Sequence, residues 1–181
     1  KDKLDVGERL ALWALKNDYG RAALVASGPV LSDVSVSGGT VVCSFDHIGS
    51  GLMVGSKAWY QPTKKTAGAP LRRFVIAGAD GKWFPAVATI KDNQVLMSSP
   101  SVPEPRKVSY ACWQNPEGCN LYNKEGLPAA PFHVEDVTKH YRITASAGAG
   151  GAITPVGTRS LLQRMTALYT IVPGAGYYIQ D

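Results

Sequence analysis

Apolar and polar positions follow two different rhythms along this chain. Over residues 1–19, Val6, Leu10, Trp13 and Ala14 recur at i, i+4, i+7 and i+8, and Leu4, Ala11, Leu12 and Leu15 widen the stripe. Asp2, Asp5, Glu8 and Arg9 take much of the opposite side. That spacing predicts an amphipathic helix. Gly20 stands where a left-handed C′ residue would end it, and Gly7, weak in a helix interior, hints at close packing. A stripe this wide needs a larger partner than one β-sheet supplies.

From Val30 the period changes to two. Val30–Ser37 ends in alternation, Gly38-Gly39 follows, and Thr40–Asp46 resumes the pattern. Paired glycines supply the positive φ values of a primed turn, so this is a hairpin. His47–Leu52 is a Gly-rich loop without the Lys-Ser/Thr pair of a phosphate cradle. Ser56–Pro70 is polar around Trp59-Tyr60 and reads as a loop. Arg73–Gly78 and Trp83–Ile90 flank a second turn at Asp80-Gly81, and Pro85 assigns the later strand to an edge or bulge. Gln94–Ser98 and Val108–Cys112 complete roughly six or seven strands between residues 28 and 113. The expected fold is mainly β, an antiparallel sandwich preceded by one helix.

Asn115–Phe132 fits neither rhythm. Gly118, Gly126, Pro128 and Pro131 break helix and strand alike, yet Leu121, Tyr122, Leu127 and Phe132 argue that the stretch packs on something. An ordered, irregular segment is a structural plug or part of a site. Beyond it, residues 141–181 form a small-residue β module. Alternation shows at Ile143 and Ile153, and short strands are expected at Leu168–Ile171 and Tyr177–Ile179.

Composition narrows the classes. The chain has 181 residues, 45% of them hydrophobic and 18% charged, with 19 Gly and 12 Pro, which indicates a globular, turn-rich protein. Its net charge of +5 is spread over doublets such as Lys64-Lys65, Arg72-Arg73 and Arg106-Lys107. No basic stripe interleaved with aromatics points to nucleic acid, and no apolar run is long enough for a membrane span. His47, His133 and His140 have no His or Cys partner at ligand spacing, so neither a metal nor another cofactor is expected. Cys112 and Cys119 flank a turn-rich stretch; they are either small buried thiols or a pair in an oxidising compartment. The sequence opens inside the helical pattern with no signal peptide, which predicts a piece of a longer chain.

Four motifs, in order, carry a family resemblance. Val6-Gly7 with Arg9–Leu15 and Tyr19-Gly20, then Ser44–Leu52, Phe74–Gly81 and Asn115-Pro116-Glu117-Gly118 through Pro131-Phe132 together resemble the C-terminal part of sialate O-acetylesterases of the SGNH hydrolase clan. The resemblance covers residues 1 to about 135. It implies that residues 1–20 are the last helix of a catalytic domain and that 28–135 is an accessory β-sandwich. Residues 115–132 would be a return segment leading back to that domain. It also implies a secreted, periplasmic or cell-surface enzyme acting on an acetylated sugar or glycan. In the family, Ser, Asp and His form the catalytic set, and the Asp and His precede the last helix. No catalytic residue is therefore assigned within this chain. Residues 141–181 resemble an incomplete bacterial cell-surface β repeat, through Ile143–Gly148, Gly151–Pro155 and Tyr169–Tyr177.

The local cluster Ser44, Asp46 and His47 does not rebuild a triad, because neighbouring strand residues point to opposite faces. The resemblance makes Asn115, Glu117, Asn120, Tyr122 and Asn123 the candidate substrate-facing residues, set against a bracing role for the same side chains. A competing function is a non-catalytic carbohydrate-binding or adhesive module, with Trp59, Tyr60, Trp83 and Trp113 available to stack on sugar rings unless they form the core.

Overall fold

The computed structural model describes residues 3–162 and 165–180, which fall into two compact units, 1–137 and 138–181. Asp2, read as part of the helix's polar side, lies outside the described residues, as do Gln163, Arg164 and Asp181 of the C-terminal module.

The first unit opens with α1 (Lys3–Asn17). Its end is closed as the sequence predicts: Gly20 adopts φ 68°, and the Arg21 amide donates to Leu15 O at 3.0 Å. The helix turns two apolar faces in different directions. Leu12 and Leu15 face a groove against the β-structure, whereas Val6, Leu10 and Trp13, the stripe most visible in the sequence, stay exposed. No helix residue is buried, and Gly7 faces open space rather than a close neighbour.

Three sheets follow. β1 (Val30–Ser37), β2 (Thr40–Asp46), β7 (Val87–Lys91) and β8 (Gln94–Ser98) form one, in the order β1-β2-β8-β7. Both of its hairpins use two-residue turns with positive φ throughout: Gly38 and Gly39 at 53° and 77°, and Asp92 and Asn93 at 50° and 60°. Such turns match the strand twist. β5 (Phe74–Ala77), β6 (Trp83–Pro85), β9 (Lys107–Tyr110) and β11 (Phe132–Val134) form the second, ordered β11-β9-β5-β6. Pro85 sits on its edge strand, as proline's missing donor requires.

Alternation buries Val41, Cys43 and Phe45 of β2 and Val95 and Met97 of β8. The two sheets meet through aromatic rings. Phe45 of the first sheet contacts Phe132 of the second edge-on at 5.9 Å, and within the second sheet Phe74 stacks on its strand partner Tyr110 at 4.4 Å. This is the β-sandwich core, preceded by one helix, that the alternation predicts.

The third sheet is where the structure departs from the sequence reading. β3 (Leu52–Ser56) pairs on one side with β4 (Lys64–Lys65) and on the other with β10 (Leu121–Asn123). Residues 115–132 are thus not wholly irregular. Gly118 and Gly126, both at positive φ, bracket a three-residue strand instead of breaking it. Leu121, Leu127 and Phe132 are buried, so the stretch belongs to the core and is not an uncovered patch. The loop read over Ser56–Pro70 likewise contains β4.

The second unit contains two two-stranded antiparallel sheets. β12 (His140–Ala145) pairs with β14 (Gly157–Leu162), and β13 (Gly151–Thr154) pairs with β15 (Thr170–Pro173). Tyr177–Ile179, read as a strand, is irregular. The Tyr177 ring instead covers Gly150, where a β-carbon would come within 2.9 Å of it.

Candidate functional site

The five candidate residues separate into three environments. Asn123 is completely buried. Its Oδ1 accepts from the Leu127 amide at 2.8 Å, and its Nδ2 donates to Ser27 O at 3.1 Å and to His47 O at 3.4 Å. The amide's acceptor and donor sides are both engaged by backbone, which leaves Asn123 as a latch joining three stretches of chain. Asn115 and Glu117 occupy an exposed loop, where Asn115 Nδ2 donates to Glu117 Oε1 at 3.1 Å and Arg73 Nε donates to Glu117 O.

Asn120 and Tyr122 are brought together on one pocket. Asn120 is held there by its own side chain: Oδ1 accepts from the Arg72 amide and Nδ2 donates to Pro70 O, each at 2.9 Å. Tyr122 is half-buried, its ring so close to Gly55 that a β-carbon there would stand 2.9 Å away. Burial, with Cys119 next in effect, raises its phenol above the ordinary value, so the hydroxyl stays protonated and able to donate. The pocket, of about 330 Å³, is also lined by Lys57, Arg72, Ser56 and Thr66. Sequence reasoning passed over Lys57 and Arg72. The available signal was charge: residues 47–79 contain Lys57, Lys64, Lys65, Arg72 and Arg73 and no Asp or Glu.

A larger groove of about 500 Å³ runs between α1 and the return segment. It is bridged by Asp5 and Lys57, 2.9 Å apart, and Lys57 Nζ also donates to Gln61 O at 2.8 Å. At its rim Glu125 accepts from the Ser50 amide at 2.9 Å and from the Ser50 hydroxyl. Partial burial works to raise the Glu125 carboxyl, but the Ser50 donors outweigh it and hold it below its ordinary value.

The Gly-rich loop therefore closes on a carboxylate of the protein itself. Ser44 Oγ accepts from Gln94 Nε2 at 2.8 Å, and the His47 backbone, at φ 58°, takes Asn123 on its carbonyl. Among the described residues no hydrogen bond joins Ser44, Asp46 and His47, and no group of three or more His, Cys, Asp or Glu side chains gathers as a metal site. No helix among them is long and apolar enough to cross a membrane. Cys43, Cys112 and Cys119 are all free, and only Cys43 is fully buried. The expectation of two buried thiols at 112 and 119 thus does not hold. Trp59, Tyr60, Trp83 and Trp113 are exposed rather than core.

No protein-family model matches the chain, and no curated protein does. Among solved structures it is similar to a carbohydrate acetylesterase from Xanthomonas citri. The two share 39% identity and a TM-score of 0.63, over 74% of this chain and 28% of that one. The chain spans little more than a quarter of that enzyme's length, and the likeness relates it to carbohydrate esterases.

Proposed function

We propose that this chain is the β-sandwich accessory region of a carbohydrate O-acetylesterase. The observation that carries the reading is the 39% identity over 74% of the chain to a carbohydrate acetylesterase. The ester-cleaving Ser, His and Asp are supplied from outside residues 1–181, and the natural substrate is an acetylated sugar of the sialate type. An SGNH-type catalytic domain in a secreted, periplasmic or cell-surface enzyme completes the reading. Within it, α1 docks through Val6, Leu10 and Trp13, and the return segment sets the sandwich beside it. Two features support that docking. The stripe is exposed although apolar, with Leu10 67% accessible, and the helix's other face is already turned to the groove. Full docking of a leucine contributes roughly 1.5–3 kcal/mol.

Acetate release from acetylated sialic acid and acetylated xylan tests this, comparing the gene's full product with residues 1–181 alone. The full product should release acetate and the 181-residue chain should not. Leu10→Asp in the full product should lower its thermal stability. Acetate release by residues 1–181 alone would overturn the accessory role, and none from the full product would overturn the esterase assignment.

A further inference from the structure

The fold brings Lys57 and Arg72, well separated in the sequence, onto one pocket walled by the Tyr122 ring. We propose that the pocket between β3, β4 and the 118–122 segment is a binding subsite for an acidic glycan, a sugar chain carrying ring carboxylates. It goes beyond the accessory role proposed above, and binding there requires no catalysis.

Three observations carry it. First, the pocket is lined by the cations Lys57 and Arg72 and by no carboxylate residue. Lys57 is balanced by Asp5 across the neighbouring groove, whereas Arg72 makes no ion pair among the described residues. Its guanidinium lies 3.9 Å from where a β-carbon on Gly118 would stand. Second, Gly55 keeps room beside a ring: a β-carbon there would stand 2.9 Å from the Tyr122 ring, and both residues line the pocket. Third, the hydroxyls and amide required to orient a sugar are fixed beforehand. Thr66 Oγ1 donates to Ser56 Oγ at 3.2 Å, Asn120 is pinned by Arg72 N and Pro70 O, and the Tyr122 ring forms a wall.

Trp59 and Tyr60 stand at the tip of a tight turn two and three residues beyond Lys57. The turn is closed by the Gln61 amide on Ala58 O, and the two rings lie 5.8 Å apart. A ring wall beside fixed polar groups is the usual composition of a sugar site, an apolar face for stacking and a few polar groups for orientation. A pocket of about 330 Å³ lies within the roughly 300–1,000 Å³ of small-molecule sites. Cations there select a carboxylate over a neutral hydroxyl.

Calorimetric titration of the 181-residue chain with tri-galacturonate, neutral cellotriose and an oligothymidylate tests this. Tri-galacturonate should bind saturably, and cellotriose at least about tenfold more weakly, the loss expected for one charge-assisted hydrogen bond. Arg72→Gln should weaken tri-galacturonate by a similar factor. Lys91→Gln, which removes the same charge from the exposed end of β7, away from the pocket lining, should leave it within about twofold, because an exposed charge off the site is screened. Arg72 holds Asn120 by its backbone amide, so Arg72→Gln keeps that bond, and an unchanged circular dichroism spectrum confirms the fold. Equal affinity for cellotriose, equal loss in Lys91→Gln, or equally tight oligothymidylate binding would each overturn the proposal. So would the absence of saturable tri-galacturonate binding. None of these outcomes bears on acetate release by the full gene product.

Discussion

Replacing Asn123 with alanine separates a structural latch from a substrate contact. The substitution removes the acceptor of the Leu127 amide and the donor to Ser27 O and His47 O. The Leu127 amide is buried in that bond. Left unsatisfied, such a group costs about 1–3 kcal/mol. The two carbonyls lie in part-buried surroundings where water replaces the lost donor, so each adds only the net worth of one bond, about 0.5–1.5 kcal/mol at most. The sum is about 2–6 kcal/mol. All four tryptophans, Trp13, Trp59, Trp83 and Trp113, lie in the 1–137 unit, so tryptophan fluorescence reports that unit alone.

With a urea dependence of about 2 kcal/mol per molar, the unfolding midpoint of Asn123→Ala should fall by about 1–3 M. Asn115→Ala loses only an exposed bond to Glu117 and should move stability by less than about 0.5 kcal/mol. Asn123→Asp keeps the acceptor but turns a carboxylate toward two carbonyls, so it should be no milder than alanine. A native midpoint in Asn123→Ala would refute the latch and restore Asn123 to the substrate-facing set.

Gly28→Ala should destabilise the same unit by roughly 1–3 kcal/mol or more through overpacking, since its β-carbon would come within 2.0 Å of Pro128 O; an unchanged urea midpoint would contradict the packing. Gly81→Ala, at φ 73° with open space around it, should cost only the backbone strain, about 1 kcal/mol. Glu135 is held down to about 2 by hydrogen bonds from Lys107 and then His133. Because its folded value is depressed, the stabilisation it provides is present above its ordinary value of 4.5 and is lost as pH falls towards 2. Lys107→Gln should flatten the acid limb of the stability curve in that window. A thiol-reactive disulfide should label exposed Cys112 fastest and half-buried Cys119 more slowly, since burial raises its thiol. Cys43, raised further by burial and then by Asp33, should react only on unfolding; early labelling of Cys43 would show that β2 opens.

Local signals told the truth where a single turn or period decided the outcome. Gly38-Gly39 marks its hairpin because only that turn suits the twist, and Gly20 ends its helix because only a left-handed residue can. What stayed hidden depends on partners distant in sequence. Leu121–Asn123 is too short to show a period, and it becomes a strand because Leu52–Val54 awaits it. The stripe of Val6, Leu10 and Trp13 was legible, but not that Leu12 and Leu15 turn towards the β-structure instead. Within the candidate set, residue type alone could not distinguish Asn123, completely buried with three bonds to backbone, from Asn120, whose two bonds to backbone leave it on a pocket wall. The pocket's cations are not legible in the sequence because Lys57 and Arg72, well separated along the chain, meet only once it folds.

The order in which the chain leaves the ribosome gives that third sheet a different significance. The hairpins β1–β2 and β7–β8 close over two-residue turns as soon as their residues emerge. β3 emerges between them, but its β10 edge remains open until Leu121–Asn123 has been made, and the latch on Ser27 and His47 waits for the same Asn123. Through that interval the nascent chain carries an unpaired strand edge containing Leu52 and Met53, the kind of template that recruits neighbouring chains. The return segment thus sets the moment at which translation yields a protected molecule. Chains released before residue 121 keep that edge, and chaperones or proteases meet them as sticky intermediates rather than as slightly shorter proteins.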